Sequence, residues 1–225
     1  FGFPLSDYLE EMGNKANEER RKSPKPYKQV LIAPSWQEDN LLDSCADDLI
    51  ASLYGDGYKI IVRPHPEYVK RYGARLSALI EKYKDADKDK LVFETDFSAN
   101  ESVYSSDILI TDWSGVGPEF CFATKRPAIF VNTKPKCENP NWQKVGIEPV
   151  EMSLRKELGE AIGKGEVKNV KAVVEKLLGE EDLYAKKIAE IYDGFIYNHG
   201  TAAENGAKYI LTSLAARAKQ KKDKK

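Results

Sequence analysis

Residues Tyr58–Pro66 read YKIIVRPHP, and this stretch decides the fold. The run Tyr58–Val62 is short and largely apolar, which is typical of a strand that is buried on both faces. The sequence RPHP at positions 63–66 then ends the strand, because proline lacks the amide hydrogen that a central strand requires. Apolar residues recur at helical spacing over Tyr68–Tyr83. The stretch therefore predicts one strand, one loop and one helix in succession.

The same unit of strand and helix repeats on both sides of this stretch. Four further apolar runs predict strands, namely Val30–Ala33, Leu91–Phe93, Ile108–Ile110 and Ala128–Val131. Helices are predicted between them at Leu41–Tyr54 and Gly117–Thr124. Short buried strands that alternate with helices indicate a doubly wound α/β domain, with a parallel sheet covered on both faces.

The character of the chain changes after the fifth strand. Residues Asn132–Pro149 form a connection rich in proline and asparagine. Apolar spacing then predicts a helical C-terminal trailer, with helices at Leu154–Ile162, Val167–Leu178, Leu183–Tyr192 and Thr201–Arg217.

Composition excludes several classes of protein. Hydrophobic residues make up 41% and charged residues 32% of the 225 residues, as in ordinary globular proteins. No apolar run has the length of a membrane span, and the first residues lack a secretion-signal pattern. The cysteines at positions 45, 121 and 137 include no C-x-x-C pair, which argues against disulfides and a cysteine zinc site. We therefore expect a cytoplasmic protein.

The distribution of charge indicates which partners to expect. The net charge of -1 argues against a dedicated nucleic-acid binder. Residues Ala216–Lys225 nevertheless contain six basic residues and one acid. This basic tail is either a solvated segment or a contact with an anionic membrane surface.

Familiar catalytic motifs are absent from the sequence. It contains no G-x-G-x-x-G, no Walker loop, no H-E-x-x-H and no G-x-S-x-G. Dehydrogenase, P-loop NTPase, zincin and α/β-hydrolase interpretations therefore lose their main support. The two histidines lie far apart and no His/Asp/Glu cluster is seen, so no metal site is predicted.

The loops that follow the predicted strands carry the candidate site residues. In open parallel sheets, ligands bind beyond the carboxyl ends of the strands. The loop after the first strand offers Ser35 and Trp36, and the loop after the third offers Asp96. The loop after the fourth offers Thr111 and Asp112. For Asp112, capping of the loop backbone is an equal alternative to ligand contact.

His65 and Arg63 give the strongest local signal. The flanking prolines hold the imidazole on a stiff loop. A fixed imidazole beside a guanidinium suits a diphosphate, with His65 donating to phosphate oxygens or protonating a leaving group and Arg63 adding charge. The alternative is that His65 only satisfies a backbone carbonyl and the prolines only shape a turn.

Ser114, Gly115 and Glu119 surround the start of the helix predicted at Gly117–Thr124. Glycine permits close backbone approach, and the free amides and positive dipole end of a helix attract phosphate. Ser114 adds a hydroxyl donor, and Glu119 could accept from a ribose hydroxyl. The alternatives are that Ser114 only caps the helix and that Glu119 only complements its dipole.

Five segments resemble the CDP-glycerol glycerophosphotransferase family, the polymerases and primases of teichoic acids and related capsule polymers. They are PSW at 34–36, RPHP at 63–66, SDILITDWS at 106–114, KRPAIF at 125–130 and NHGTAAE at 198–204. The family has the GT-B architecture, in which two Rossmann-like domains face each other across a cleft. The resemblance implies that this chain is the Rossmann-like, nucleotide-donor half.

The resemblance also implies roles and boundaries. His65 would contact the donor diphosphate and be needed for catalysis, and the loop of Ser114 would bind donor phosphates. The spacing from Ser114 to Glu119 is similar to that in GT-B nucleotide-sugar enzymes, where this glutamate binds the donor ribose. His199 is either structural or a further phosphate contact at the start of the last helix. Residues 1–27 are predicted as a linker from a missing N-terminal acceptor domain, 28–215 as the donor-binding domain and 216–225 as the basic tail.

The function expected from the resemblance is transfer of glycerol phosphate from CDP-glycerol, or a related nucleotide donor, to a polyol-phosphate or glycan acceptor. The transfer reaction would take place at the inner face of the cell membrane. Without an acceptor half, this chain would bind the donor yet transfer poorly or not at all. No cofactor is expected, and a need for Mg²⁺ stays open. The alternatives are a GT-B glycosyltransferase that uses a UDP- or CMP-sugar and a non-catalytic nucleotide-binding module.

Overall fold

A computed structural model describes residues 2–55, 57–136, 139 and 141–222. Its centre is a sheet of six parallel strands in the order β3-β2-β1-β4-β5-β6. The strands are β1 (Lys28–Ile32), β2 (Tyr58–Val62), β3 (Leu91–Phe93), β4 (Ile108–Thr111), β5 (Ala128–Asn132) and β6 (Gly159–Gly163). This is the Rossmann order, in which the direction of winding reverses between β1 and β4.

Helices cover both faces of this sheet. They are α1 (Pro4–Lys22), α2 (Leu41–Leu53), α3 (Pro66–Lys82), α4 (Glu101–Ser105), α5 (Val116–Thr124), α6 (Val150–Ser153), α7 (Val170–Gly179), α8 (Glu181–Phe195) and α9 (Ala202–Lys222). Short 3-10 helices span Trp142–Val145 and Lys164–Asn169. The predicted doubly wound α/β fold is confirmed.

The alternation of side chains along β1 shows how the core divides. Val30 and Ile32 lie in one buried cluster, together with Leu49 of α2. Leu31 points to the opposite face and lies in a second cluster with Phe120 of α5. Because successive strand residues point to opposite faces, the continuous apolar run of β1 fills both clusters at once.

The helix predicted at Leu154–Ile162 is wrong. Only a short turn follows Leu154, and Gly159–Gly163 forms β6, which pairs with β5 in parallel. Leu154, Leu158 and Ile162 repeat every four residues, which imitates a helical stripe. Glycine at both ends of the segment disfavours a helix, and a Cβ on Gly159 would overlap the Ala128 carbonyl oxygen of β5.

The N-terminal segment contributes a packed helix rather than only a linker. Residues Pro4–Lys22 form α1, which packs against α5 and buries Leu9. Its Gly13 contacts the backbone of Ala123 so closely that a Cβ would overlap that carbonyl oxygen. This part of the predicted linker therefore belongs to the fold.

Other predictions concern the cysteines and the membrane. Cys45 and Cys121 are buried free thiols, whereas Cys137 and the last three residues of the predicted basic tail lie outside the described residues. No helix within the described ranges is both long and apolar enough to cross a membrane.

Candidate functional site

The loops after β1, β2, β3 and β4 converge at the carboxyl edge of the sheet. They border a cleft of about 330 Å³, which we call the strand-end cleft. It lies beside the point where the winding reverses between β1 and β4, which is where doubly wound sheets bind ligands. The predicted site residues that line it are Arg63, His65, Ser114 and Glu119.

Asp112 joins the first and fourth loops through backbone hydrogen bonds. Its carboxylate accepts from the amides of Ser35 at 2.7 Å, Leu41 at 2.9 Å and Trp113 at 2.8 Å. Thr111 adds a second link, because its Oγ1 donates to the Ala33 carbonyl at 2.6 Å. Both side chains are buried, so they shape the cleft from behind. Of the two roles predicted for Asp112, these hydrogen bonds are those of a cap on the loop backbone.

Ser35 and Trp36 occupy different environments in the first loop. The Ser35 hydroxyl is buried and has no hydrogen-bond partner among the described residues. The half-buried Trp36 ring lies under two cations, with the Arg71 guanidinium 4.9 Å and the Lys136 ammonium 5.4 Å from its centroid. Trp36 is thus placed beside positive charge near the loop of His65.

His65 caps helix α3 through its side chain. Pro66 occupies the first turn of the helix, and His65 Nδ1 accepts a hydrogen bond from the Glu67 amide at 3.1 Å. Burial, followed by the charge of Lys136, lowers the pKa of His65, while Glu67 acts in the opposite direction. Since Nδ1 is an acceptor, the neutral ring carries its proton on Nε2. The half-buried ring lines the strand-end cleft in that form.

Arg63 ties the second loop to the third. Its guanidinium pairs with Glu94 and donates from Nη2 to the Ala99 carbonyl at 3.0 Å and to Asn100 Oδ1 at 2.7 Å. It also lies 5.3 Å from the ring centroid of Phe97. Burial lowers the pKa of Arg63, and nearby Asp96 counters this. The guanidinium therefore shapes the wall of the cleft through the third loop.

Asp96 lies outside the strand-end cleft. It is exposed and accepts a hydrogen bond from the Ser98 amide at 2.9 Å, which stabilises the turn and lowers the pKa of Asp96. It borders a separate cavity of about 410 Å³. The structure does not bring Asp96 together with His65.

The fourth loop and the start of α5 border the strand-end cleft, and anion binding at this place stays a prediction. Ser114 lines the cleft, its Oγ is 3.5 Å from the Val116 amide, and Gly115 is exposed. Gly117 packs on the sheet, where a Cβ would lie 2.7 Å from the Phe130 ring. The Gly117 amide already donates to the Ser114 carbonyl at 3.1 Å, and Pro118 has no amide hydrogen. The Val116 amide and the positive dipole end of α5 therefore stand at the edge of the cleft, where a helix start favours negative charge.

Glu119 is half-buried in the first turn of α5. It borders both the strand-end cleft and an adjoining apolar groove of about 290 Å³. Burial, followed by the charge of Glu151, raises the pKa of Glu119. A carboxyl group in this position can hydrogen-bond to a hydroxyl of a bound ligand.

Arg155 is a site residue that the sequence analysis missed. It is buried and donates from Nη1 to the Asp112 carbonyl at 2.6 Å and from Nη2 to Asn132 Oδ1 at 2.8 Å. Its guanidinium stacks 3.9 Å from the centroid of Trp113. Burial lowers the pKa of Arg155 to about 10. A lone arginine in a segment predicted as helix gave no signal of this role.

His199 lies away from the cleft, against α8. Its Nε2 is 2.7 Å from the Ile196 carbonyl, and its ring packs at a tilt against Tyr192, with 4.8 Å between the ring centroids. The start of α9 is already occupied, because the Asp7 carboxylate accepts from the amides of Gly200 and Ala202 at 2.9 and 3.0 Å. The structure therefore does not offer this helix start to a phosphate. Among the described residues, no group of three or more His, Cys, Asp or Glu could hold a metal ion.

Solved structures resemble this chain in fold. A structure of the wall teichoic acid polymerase TagF is 23% identical, with a TM-score of 0.53, over 96% of this chain and 52% of that chain. A TagF structure with CDPG gives 22% identity and a TM-score of 0.54, over 96% of this chain and 51% of that chain. An alpha,alpha-trehalose-phosphate synthase (UDP-forming) from Burkholderia vietnamiensis is 11% identical, with a TM-score of 0.56, over 95% and 51%.

These likenesses confirm the predicted Rossmann-like half of a GT-B fold, and the chain spans about half the length of each of these three structures. No curated protein gives a significant match. The model of the family described as CDP-Glycerol:Poly(glycerophosphate) glycerophosphotransferase matches residues 1–136, which is more than half of the 225 residues. The chain belongs to this glycerophosphotransferase family.

Proposed function

We propose that this chain is the donor-binding half of a glycerophosphotransferase that uses CDP-glycerol. The acceptor would be a polyol-phosphate or glycan polymer of the teichoic acid or capsule type. The observation that carries the proposal is the cleft at the winding reversal, where His65 and the start of α5 face one space. Membership of the family and the solved TagF structure with CDPG support the choice of donor.

The proposed reaction transfers the glycerol phosphate group in one displacement. An acceptor hydroxyl oxygen forms a bond to the β-phosphorus of CDP-glycerol, the bond from that phosphorus to the bridging oxygen breaks, and CMP leaves with the electron pair. The Nε2 hydrogen of His65 would stabilise the charge that develops on the diphosphate, together with the Val116 amide and the positive dipole end of α5. Fixed donors of this kind need no reorganisation during the reaction.

The positions of Ser114 and Glu119 in the strand-end cleft suggest the remaining donor contacts. Ser114 would donate to a phosphate oxygen, and Glu119 would accept from a ribose hydroxyl that lies toward the adjoining apolar groove. Arg63, Thr111, Asp112 and Arg155 would position the loops. We place the acceptor, and the group that removes its proton, in a further domain that precedes α1.

Calorimetric titration of the chain with CDP, CDP-glycerol, CMP and UDP tests the donor assignment. We expect cytidine diphosphates to bind in preference to UDP. His65→Ala should weaken them by about 10- to 100-fold, because a hydrogen bond to a charged group contributes about 1.5–3 kcal/mol. His199→Ala is the matched control, because it removes the other histidine, which lies outside the cleft.

Two outcomes would contradict the proposal. Preference for UDP would favour a GT-B glycosyltransferase, an alternative that the placement of Ser114 and Glu119 on one cleft also fits. Failure of every nucleotide to bind would favour a module without a donor site. In the full-length protein, near-normal transfer by His65→Ala would overturn its catalytic role.

We further propose that the full protein acts at an anionic membrane surface. Helix α9 exposes Ile210, Leu211 and Leu214, and the basic tail follows them in the sequence. Apolar side chains next to basic residues suit an anionic lipid interface. Co-sedimentation with anionic vesicles should fall when residues 216–225 are deleted, with neutral vesicles as the control. Unchanged co-sedimentation would contradict the role of the tail.

A further inference from the structure

One wall of the strand-end cleft has no role in the proposed function. The loop after β3 contributes Phe97 and Asn100 to this wall, α4 contributes Val103 and Tyr104, and α1 contributes Leu9. Leu9, Val103 and Tyr104 share one buried cluster, with only 6%, 9% and 4% of each residue exposed. This end of the cleft is therefore enclosed and largely apolar.

Tyr104 brings one free polar group to this wall. Its ring packs edge-on against Tyr8 of α1, with 6.4 Å between the ring centroids. Its hydroxyl forms no hydrogen bond with any described residue, and it is not one of the unpartnered polar atoms that the fold seals off from solvent. Burial raises the pKa of Tyr104, so the phenol keeps its proton near pH 7. The hydroxyl can therefore donate a hydrogen bond to a group that enters the cleft.

Hydrogen bonds around α4 hold Tyr104 in place before any ligand binds. Arg63 pairs with Glu94 and donates to Asn100 Oδ1 at 2.7 Å, at the residue where α4 begins. Ser102 Oγ of α4 donates to Glu94 at 3.0 Å. Because these contacts and its own burial fix the Tyr104 ring, little conformational freedom remains to be lost when a ligand binds.

The direction of the proposed reaction indicates which part of the donor meets this wall. The β-phosphorus and the glycerol group must be reached by an acceptor that is bound outside this chain, so they belong at the open mouth of the cleft. The nucleoside then belongs at the enclosed end. A pyrimidine base has apolar faces and a polar edge, which suits a largely apolar wall that offers one hydroxyl. Ribose is rich in hydroxyl groups and suits the carboxyl group of Glu119 instead.

We propose that Tyr104 is a donor-binding residue whose hydroxyl donates a hydrogen bond to the pyrimidine base of the nucleotide, at the enclosed end of the strand-end cleft. The inference rests on the proposed function, because it assigns one more contact to the same donor. A carbonyl oxygen or a ring nitrogen at the edge of the base accepts this hydrogen bond. The buried side chains of Leu9 and Val103 keep its surroundings apolar, which strengthens it.

Calorimetry of the whole chain with CMP, CDP and CDP-glycerol tests this contact in Tyr104→Phe, which removes only the hydroxyl. Each of the three ligands carries the base, so all should bind about 3- to 10-fold more weakly, by a similar factor. His65→Ala should give a different pattern, with a larger loss for CDP and CDP-glycerol than for CMP. Tyr8→Phe is the matched control and should bind as the wild type does, since Tyr8 packs against Tyr104 but does not border the cleft.

Binding of 2′-deoxy-CDP separates the base from the ribose. The loss in Tyr104→Phe should be as large with this ligand as with CDP, because both carry the same base. A loss that disappears with 2′-deoxy-CDP would place the hydroxyl at the ribose and overturn the assignment to the base.

Urea unfolding gives a readout that does not depend on any ligand. Because the Tyr104 hydroxyl has no partner within the described fold, Tyr104→Phe should unfold at the same urea concentration as the wild type or at a higher one. A clearly lower midpoint would show that the hydroxyl is already hydrogen-bonded inside the protein, which overturns the proposal.

The binding outcomes distinguish this inference from the proposed function. If the wild-type chain binds no cytidine nucleotide, the proposed function fails and this inference fails with it. If the wild type binds and Tyr104→Phe binds equally well, only the assignment of Tyr104 is wrong. A loss for CDP and CDP-glycerol without a loss for CMP would place the hydroxyl at the diphosphate, and a loss for CDP-glycerol alone would place it at the glycerol group. Either result would overturn the assignment to the base.

Discussion

The two ring nitrogens of His65 have different tasks. Nδ1 accepts from the Glu67 amide at 3.1 Å and so caps α3. The pKa of the ring is lowered mainly by burial. At pH 7 the neutral ring therefore carries one proton, on Nε2, and that is the form that donates to a phosphate oxygen. The cap and the proposed donor contact thus depend on the same tautomer.

Acidification is expected to destabilise the protein through His65. Its pKa is about 6.5 in an unfolded chain and lower in the fold. Between the two values the unfolded chain binds more protons, so the free energy of unfolding falls as the pH drops below about 6.5 and through the folded pKa. Urea unfolding across this range should show the fall in the wild type but less of it in His65→Asn, whose side chain can cap the helix without titrating. Parallel pH curves for the two proteins would contradict this role.

Removal of the Asp112 carboxylate is expected to loosen the first and fourth loops. In Asp112→Ala, the amides of Ser35, Leu41 and Trp113 lose their acceptor. We expect a loss of about 2–4 kcal/mol in the free energy of unfolding, since unsatisfied buried groups are costly. Asp96→Ala, at an exposed turn, should stay within about 0.5 kcal/mol. Equal effects in urea unfolding would disprove the special role of Asp112.

The positions just after the strands predicted which residues line the cleft. They did not predict which hydrogen bonds support those residues. His65, Ser114 and Glu119 were predicted because parallel strands bring their carboxyl ends to one edge. The support of the site by Arg155 was not predictable, since its contacts join positions 23 to 43 residues apart in the sequence. His199 was counted as a candidate because Asp7, which caps the start of α9, lies almost a full chain length away in the sequence.

At the scale of elements, the contact between α1 and α5 connects the N-terminal segment to the helix that begins at the cleft. Leu9 of α1 lies in the buried cluster with Phe120 of α5 and also borders the cleft. Gly13 allows the closest approach of the two helices, because its missing side chain makes room for the Ala123 carbonyl. The position of α5, and of its first amides, therefore depends on α1.

Gly13→Ala is expected to lower the free energy of unfolding by about 1–3 kcal/mol, because the added methyl group overlaps the backbone of α5. Gly73→Ala is the matched control in α3, where nothing lies within 4 Å of the added Cβ. It should raise the free energy of unfolding by about 0.5–1 kcal/mol, since alanine favours helix over glycine. Thermal or urea unfolding that shows the same sign for both variants would contradict the close contact.

Periodicity predicted those elements whose pattern is unambiguous. Few competing interpretations exist for the apolar runs Val30–Ile32 in β1, Ile60–Val62 in β2 and Ile108–Ile110 in β4, because every residue in them suits a strand buried on both faces. β6 was missed because Leu158 and Ile162 are four residues apart, and only its pairing with β5 decides for a strand. α1 was predicted as a linker because most of its surface is charged, and its buried face consists of few residues, among them Leu9 and Gly13.

At the scale of the whole molecule, function depends on where the charges lie. The chain carries a net charge of -1, yet the positive dipole end of α5 stands at the strand-end cleft, and the basic tail forms a second positive region in the sequence. Half of the solved TagF chain has no counterpart here. Donor binding is therefore the step of the proposed reaction that can be tested with this chain alone.

Titration of the isotope-labelled chain with CDP-glycerol, followed by NMR, tests donor recognition most directly. The account predicts shifts at the His65 ring and at the amides of residues 114–117, with His199 unchanged as an internal reference. Saturable binding that shifts other residues instead, or no shift at all, would contradict the claim that this edge of the sheet holds the donor.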